Sequence, residues 1–312
     1  MKITLLSAGT GGRKLLVGFT QLVGHEAMTV IANTGDDFTH LGLYISPDID
    51  SILYQLSDLL DEERGWGRSG DTFSFLDEVK RLGGETWFRL GDKDLAMHVL
   101  RTFLLSRGLS LTDVTKKLAA GLGVSSTILP MSDDRVQTRI VTDTGTLTFN
   151  EFLVRDGALP HVRRVFYDGS EVARSAPGVV QAIADADLIV IGPSNPIAGI
   201  GPIISIQPIR EALRRFRGKV VAVSPIIGGG AISGPSGQFM EAEGVEVSVR
   251  GVARLYSDIA SRIFVHHADS KCLGDGPDSQ PRLIAADVLM KDVRDSRRLA
   301  NEIVLKCELG EP

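Results

Sequence analysis

The chain is poor in cysteine: its 312 residues include only Cys272 and Cys307, without C-x-x-C spacing. Such a pair favours free thiols in a reducing compartment over a disulfide framework or a cysteine metal site. Positive charge is not in excess either, since 34 Lys and Arg stand against 39 Asp and Glu. Nucleic-acid binding requires many neutralised phosphates and is not expected. No apolar run approaches the ~18 residues of a membrane helix, so we expect a cytoplasmic protein with no membrane partner.

Two standard phosphate-binding motifs are missing from the glycine-rich segment SAGTGGRK at residues 7–14. A dinucleotide loop, G-x-G-x-x-G, would need a third glycine where Lys14 stands. A Walker A loop would need Ser or Thr at the position of Leu15. A nicotinamide site also needs an acidic residue near position 30, where Ala32 and Asn33 are found. A nicotinamide-dependent oxidoreductase is therefore disfavoured.

The segment nevertheless has the setting of a phosphate site, because it joins a predicted strand at 2–6 to an apolar helix at 15–23. Backbone N–H groups at a helix N-terminus point outward, and the helix dipole favours an anion there. We therefore expect Gly9, Thr10, Gly11 and Gly12 to bind nucleotide phosphates. The alternative is a tight strand–helix turn with no ligand.

An acidic turn, NTGDD at 33–37, follows the second predicted strand, and PDID at 47–50 opens the next helix. Adjacent carboxylates would repel a nearby phosphate unless a divalent cation lay between them. Mg²⁺ prefers one or two carboxylates and keeps several waters, so we expect Asp36 and Asp50 to hold Mg²⁺. Phosphoryl transfer depends mainly on positioning and charge neutralisation. Because no histidine lies in a motif, Asp50 is the first candidate for a general base.

The order of apolar patterns predicts an α/β fold. Buried-strand patterns at 188–191 and 219–223 alternate with helical patterns, and short strands at 263–265 and 282–285 precede a last helix at 295–305. Continuous Val/Ile runs between helices indicate a mainly parallel sheet covered on both faces. The patterns predict that residues 50–123 are nearly all helical and that residues 139–149 form a β-hairpin. We predict a Rossmann-like, three-layer α/β domain with a helical insertion and a hairpin.

The loops after two of the buried strands are rich in small polar residues. GPSNP follows the strand at 188–191, and SPIIGGG follows the strand at 219–223. Ligands in open α/β sheets bind outside the carboxyl ends of the strands. We therefore expect Ser194, Asn195 and Gly229 to bind the nucleotide, together with Asn33 at the end of the second predicted strand. The alternative is that these are ordinary loops, which often have this composition without any ligand.

Six segments of the chain resemble, in the same order, the motifs of one family. They are GTGG at 9–12, NTGDD at 33–37, SPDID at 46–50, WFRLGD at 87–92, GPSNP at 192–196 and PIIGG at 225–229. The family is that of the 2-phospho-L-lactate transferases of coenzyme F420 biosynthesis, and the resemblance covers residues 1–305. It implies a single α/β transferase domain over residues 1–312, with the helical insertion at about 50–123.

The resemblance also implies a reaction. A 2-phospholactyl-type group would pass from a guanosine-diphosphate-linked donor, such as lactyl-2-diphospho-5'-guanosine, to the ribityl hydroxyl of the deazaflavin Fo. The products would be F420-0 and GMP, in a Mg²⁺-dependent phosphotransferase reaction (EC 2.7.8). By resemblance Asp50 and Arg89 would contact Fo, and Asp36 and Asp50 would approach the metal. Trp87 is a further candidate for the ring pocket, which needs apolar walls.

Several alternatives stay open at this point. A related branch, the gluconeogenesis-factor proteins, has the same fold and binds a UDP-sugar in a regulatory role. The NTGDD and PDID segments favour the transferases over that branch. Phospholactate, phosphoenolpyruvate and phosphoglycerate donors differ by only a few atoms, and the sequence does not distinguish them. The sequence also leaves open which residue is the general base and what the oligomeric state is, for which a homodimer is one expectation.

Overall fold

The computed structural model describes residues 1–273 and 280–308. The strands of the main sheet are β1 (Ile3–Ser7), β2 (Met28–Ala32), β5 (Thr127–Pro130), β9 (Leu188–Ile191), β10 (Val220–Val223), β13 (Arg262–His266) and β14 (Arg282–Ala286). The smaller sheets contain β3 (Phe38–His40), β4 (Leu43–Ile45), β6 (Gln137–Thr142), β7 (Gly145–Thr148), β8 (Val162–Asp168), β11 (Ile226–Ile227) and β12 (Gly230–Ala231).

The helices connect these strands. They are α1 (Gly9–Val23), α2 (Pro47–Leu56), α3 (Ser74–Arg81), α4 (Asp92–Ser106), α5 (Leu111–Gly121), α6 (Val179–Asp185), α7 (Ile200–Ser205), α8 (Gln207–Arg215), α9 (Ser236–Ala242), α10 (Val249–Leu255) and α11 (Val293–Glu308). A π-helical turn occupies Glu151–Arg155. In the described part of the chain, no helix has the length and apolarity needed to cross a bilayer.

Among the described residues, the main sheet has seven strands in the order β14-β13-β10-β9-β1-β2-β5, and every neighbouring pair is parallel. The chain moves outward from β1 through β2 to β5, then returns to β9 on the other side of β1. The order therefore reverses between β1 and β9, where an open α/β sheet leaves a crevice for a ligand.

Two apolar layers cover the sheet, as its buried strands require. In β9, Ile189 and Ile191 pack with α6 to α10, whereas Leu188 and Val190 pack with α1, α2, α4, α5 and α11. Side chains of a strand alternate between its faces, so a strand covered on both faces is apolar throughout. The predicted three-layer, mainly parallel α/β architecture is confirmed.

Two local features position the ligand site. The predicted hairpin is present as β6 and β7, and β8 extends it into a three-stranded antiparallel sheet. The helices α2 to α5 occupy most of the segment between residues 47 and 121. Residues 87–90 form no strand. Trp87, Phe88 and Phe73 instead pack around Phe38 and Leu90 in a small aromatic cluster.

Candidate active site

A cavity of about 910 Å³ opens at the carboxyl ends of β1 and β9, at the reversal of strand order. Loops from several parts of the chain form its walls. The lining residues include Ala8, Gly9, Thr10, Gly11, Arg13, Lys14, Asp36, Asp48, Arg64, Trp66, Trp87, Phe88, Arg89, Asn150, Pro193, Ser194, Asn195, Met290 and Lys291. The cavity thus combines a helix N-terminus, two carboxylates, several cations and an aromatic end.

The glycine-rich loop forms the N-terminus of α1 at the cavity. Gly9 has a φ of +57°, a left-handed conformation that favours glycine, and a Cβ there would project into open space. The backbone N–H of Gly9 donates to Asp48 Oδ1 at 2.6 Å. The Ser194 hydroxyl accepts from Ala8 N at 3.2 Å and donates to Ala8 O at 2.6 Å, which fixes the start of the loop.

Gly11 and Gly12 are required by close packing. A Cβ at Gly11 would overlap the backbone carbonyl of Pro193, and a Cβ at Gly12 would overlap the Ser7 hydroxyl. Gly11 also lines the cavity, whereas Gly12 is buried beneath it. These two glycines therefore bring α1 close to the loop after β9, and Gly9 and Thr10 present the helix N-terminus to a ligand.

Two carboxylates, Asp36 and Asp48, face the cavity side by side. The Asn33 side-chain amide donates to Asp36 Oδ2 at 3.1 Å and to Asp48 Oδ2 at 3.0 Å, so it holds both. Burial, together with the charges of Asp48 and Asp37, raises the pKa of Asp36 well above its usual value. Burial raises the pKa of Asp48 to about 6, against the opposing effect of the Gly9 and Asn33 hydrogen bonds.

Asp50, expected beside Asp36 at the metal, lies outside the cavity lining. Its side chain is buried and forms a two-pronged ion pair with Arg101, which is itself fully buried. His98 Nδ1 lies 3.6 Å from Asp50 Oδ2. The helix α2 explains the difference: residues two apart on a helix point to nearly opposite sides, so Asp48 reaches the cavity and Asp50 does not. The structure therefore pairs Asp36 with Asp48.

The other expected nucleotide residues fall into two groups. Ser194 and Asn195 line the cavity, with Asn195 Oδ1 accepting from the N–H groups of Ile197 and Ala198 at 3.0 Å each. Asn33 is buried behind the carboxylates. Gly229 lies in the turn between β11 and β12, outside the cavity lining.

The aromatic end of the cavity contains the residues expected for a planar ring. Trp87 and Phe88 line it, and Arg89 lies with its guanidinium carbon 4.2 Å from the Phe73 ring centroid. Within residues 1–273 and 280–308, Arg89 forms no salt bridge with a carboxylate. Its hydrogen-bond donors are therefore available to a ligand.

Several lining residues were not singled out from the sequence. Lys14 lines the cavity and its ammonium donates to Met290 O at 2.9 Å. Arg13 is buried, and its guanidinium donates to Gln55 and to Gly65 O. The Asn150 amide donates to Asp36 O at 2.7 Å. Arg13 and Lys14 directly follow the glycine loop, and this position is the signal in the sequence that could have identified them. Nothing in the sequence connects Asn150 with Asp36.

The donor set suits Mg²⁺ held by few protein ligands. In the described residues no cluster of three or more His, Cys, Asp or Glu side chains forms a closed metal site. Asp36 and Asp48 form a pair instead, and Asp36 Oδ1 is buried without a well-formed hydrogen bond. Mg²⁺ is commonly held by one or two carboxylates together with substrate phosphates. A cation would satisfy the unpaired oxygen and offset the raised pKa values.

Comparison with known proteins settles the family. The family model described as 2-phospho-L-lactate transferase CofD matches residues 3–273. The chain belongs to this family. It is 40% identical over 309 residues to the 2-phospho-L-lactate transferase of Methanocaldococcus jannaschii, covering 98% of both chains. It is 42% identical over 300 residues to that of Methanosarcina mazei, covering 96% of this chain and 98% of the relative.

A solved structure supports the fold. The crystal structure of a UPF0052 family member from Bacillus halodurans superposes with a TM-score of 0.63, covering 97% of this chain and all of that one. Because only 17% of the residues are identical, this likeness concerns the architecture alone. The family membership makes the chain a transferase of the 2-phospho-L-lactate transferase type.

Proposed function

We propose that the protein transfers a 2-phospholactyl-type group from a guanosine-diphosphate-linked donor to the ribityl hydroxyl of Fo, giving F420-0 and GMP. The observation that carries the proposal is a single cavity with a helix N-terminus, a carboxylate pair and an aromatic end, in a chain of this family. These three parts match a diphosphate, a divalent cation and a planar acceptor.

The diphosphate of the donor would lie at the N-terminus of α1. The free N–H groups of a first helical turn and the helix dipole favour anions there. Lys14 adds positive charge, and the loop with Pro193, Ser194 and Asn195 faces the phosphate loop across the cavity. The donor's linking phosphates would thus lie between two backbone segments that Gly11 holds close together.

Asp36 and Asp48 would hold Mg²⁺ in this site. When bound, Mg²⁺ neutralises the charge that develops on the phosphoryl oxygens and on the departing GMP. The amide of Asn33 orients both carboxylates from behind. The Asn150 amide fixes the Asp36 backbone, so the pair is positioned before substrate arrives.

The acceptor would lie at the aromatic end, with its ribityl tail toward the carboxylates. Its hydroxyl oxygen forms a bond to the phosphorus that carries the lactyl-type group, and the bond from that phosphorus to the GMP oxygen breaks. The hydroxyl proton passes to a carboxylate, for which we propose Asp48, because its side chain faces the cavity whereas Asp50 is paired with Arg101 outside the cavity lining. Asp50, paired with Arg101, holds α2 in place.

Incubation of the protein with Fo, Mg²⁺ and each candidate donor tests the proposal. The donors are guanosine-diphosphate-linked lactate, enolpyruvate and glycerate, and mass analysis identifies the product. We expect one donor to yield an Fo phosphodiester with one equivalent of GMP, and no product after EDTA treatment. Absence of product with all three donors, together with tight binding of a UDP-sugar, would overturn the proposal in favour of a regulatory protein.

A further inference from the structure

The loop at residues 59–69, which we term the Trp66 loop, is closed by its own hydrogen bonds. Ser69 N donates to Leu59 O at 2.8 Å, and Asp61 N donates to Gly67 O at 3.1 Å. A second contact ties the loop to the phosphate helix, since Arg13 donates to Gly65 O at 3.3 Å. The loop is therefore held in one conformation beside α1, although it contains no helix or strand of its own.

Trp66 stands on this loop with 38% of its surface exposed, and it lines the cavity. The hydrogen-bonded loop therefore leaves part of a large indole open to the ligand cavity. Flat ligands bind to such surfaces by stacking, because the facing surfaces of the ligand ring and the indole are both buried. The conformational entropy lost is small, since an indole side chain has few rotatable bonds.

Arg64 holds the indole in place. Its guanidinium carbon lies 5.2 Å from the Trp66 ring centroid and 5.4 Å from that of Phe73. Asp61 fixes the guanidinium with a salt bridge at 2.8 Å, and a second hydrogen bond runs to Arg68 O at 2.8 Å. Arg64 thus connects Trp66 to Phe73, the ring on which Arg89 also stacks.

We propose that Trp66 is the stacking partner of the acceptor's planar ring, and that Arg64 is the residue that positions it. The inference rests on the proposed function and assigns it a specificity determinant on a separate loop. The connection of Trp66 through Phe73 to Arg89 puts the indole at the aromatic end of the cavity, where the acceptor ring is proposed to lie. A guanine base is the competing planar ligand, and the experiment separates the two.

Fo binding by the Trp66→Leu and Trp66→Phe variants tests the stacking role. We expect Trp66→Leu to raise the Kd for Fo about tenfold, because the aromatic face is lost. Trp66→Phe keeps an aromatic face and should raise that Kd less than about threefold. The Kd for GDP and the midpoint of thermal unfolding should stay at the wild-type values in both. Phe75→Leu, which removes an exposed aromatic residue outside the cavity lining, is the matched control.

The chain has only two tryptophans, so Trp87→Phe leaves Trp66 as the sole indole and permits a direct readout. In that background Fo should quench the Trp66 emission, and Arg64→Met should lower its anisotropy, whereas Arg64→Lys should restore part of it. A merely structural role for Arg64 would not change the anisotropy of the folded protein.

The outcomes separate this inference from the proposed function. If the wild type does not bind Fo at all, both are overturned. If the wild type binds Fo and Trp66→Leu binds it equally well, only the role of Trp66 is overturned. An equal loss of GDP affinity in Trp66→Leu would also overturn it, because the indole would then serve the nucleotide.

Discussion

Replacing Asp36 by asparagine should stabilise the Mg²⁺-free protein and abolish its response to Mg²⁺. Asp36 Oδ2 accepts from Asn33, while Oδ1 is buried without a well-formed hydrogen bond. An asparagine can keep the first contact with its oxygen and place its NH₂ group at the unpaired position. It removes a charge that burial and the neighbouring carboxylates of Asp48 and Asp37 make unfavourable.

The unsatisfied oxygen of Asp36 provides the scale of the effect, because leaving a buried acceptor without a partner costs about 1–3 kcal/mol. Burial also raises the pKa of Asp36 well above its usual value and that of Asp48 to about 6. Because raised pKa values favour the protonated folded state, their stabilisation is complete below pH 3.8 and is lost as the pH rises through the folded-state values. Asp36→Asn should therefore match the wild type near pH 4 and exceed it by about 1–3 kcal/mol at pH 7.5.

Urea denaturation at pH 4 and pH 7.5, with and without Mg²⁺, measures this difference. Mg²⁺ should stabilise the wild type at pH 7.5 and leave Asp36→Asn unchanged, with turnover reduced about 100-fold or more. Glu171→Gln removes an exposed carboxylate that is distant from Asp36 in the sequence, and it controls for the change in net charge. The reasoning is refuted if Asp36→Asn is less stable than the wild type at pH 7.5, or if Mg²⁺ stabilises both equally.

Three further predictions concern the loop, the buried ion pair and the acceptor end. Gly11→Ala should lower the melting temperature because its Cβ overlaps the Pro193 carbonyl, whereas Gly9→Ala should cost only about 1 kcal/mol and mainly weaken GDP binding by calorimetry. Wild-type melting of Gly11→Ala would contradict this. Arg101→Ala should cost about 3–5 kcal/mol in urea, because it leaves Asp50 buried and unpaired, and the added change Asp50→Asn should recover part of it. No recovery in the double variant would argue against the ion pair. Arg89→Ala should weaken Fo binding by about 1.5–3 kcal/mol in a fluorescence titration and spare GDP binding; unchanged Fo affinity would contradict its role.

The sheet was predictable because its strands are buried on both faces. A run such as LIVI at 188–191 can be stable only between two apolar layers, and the structure has β9 at those residues. The glycine loop was equally predictable in position, because a glycine cluster directly after a strand indicates a close backbone approach. Its detailed roles were not, since only the neighbouring loop shows that Gly11 packs on Pro193.

Helix boundaries in the insertion were less predictable because their caps come from distant residues. Asp71 lies three residues before α3, where its position in the sequence suggests a cap for that helix. Instead Asp71 accepts from the N–H groups of Lys93 and Asp94 at the start of α4. Asp92 accepts from Ser74 N at 3.0 Å and Phe75 N at 2.9 Å at the start of α3. Local sequence contains both capping residues but not the exchange between them, which is a tertiary contact.

The assignment of the two aspartates in PDID shows what a motif leaves undetermined. Both carboxylates lie in the first turn of α2, and the spacing alone favours neither. The fold decides between them because α4 brings the buried Arg101 to one side of α2, where Asp50 neutralises it. The opposite side faces the phosphate loop, where the Gly9 N–H meets Asp48 at 2.6 Å. The fold thus commits Asp50 to Arg101, which would otherwise be a buried unpaired charge, and Asp48 is the carboxylate of this motif that remains at the cavity for a cation or a proton.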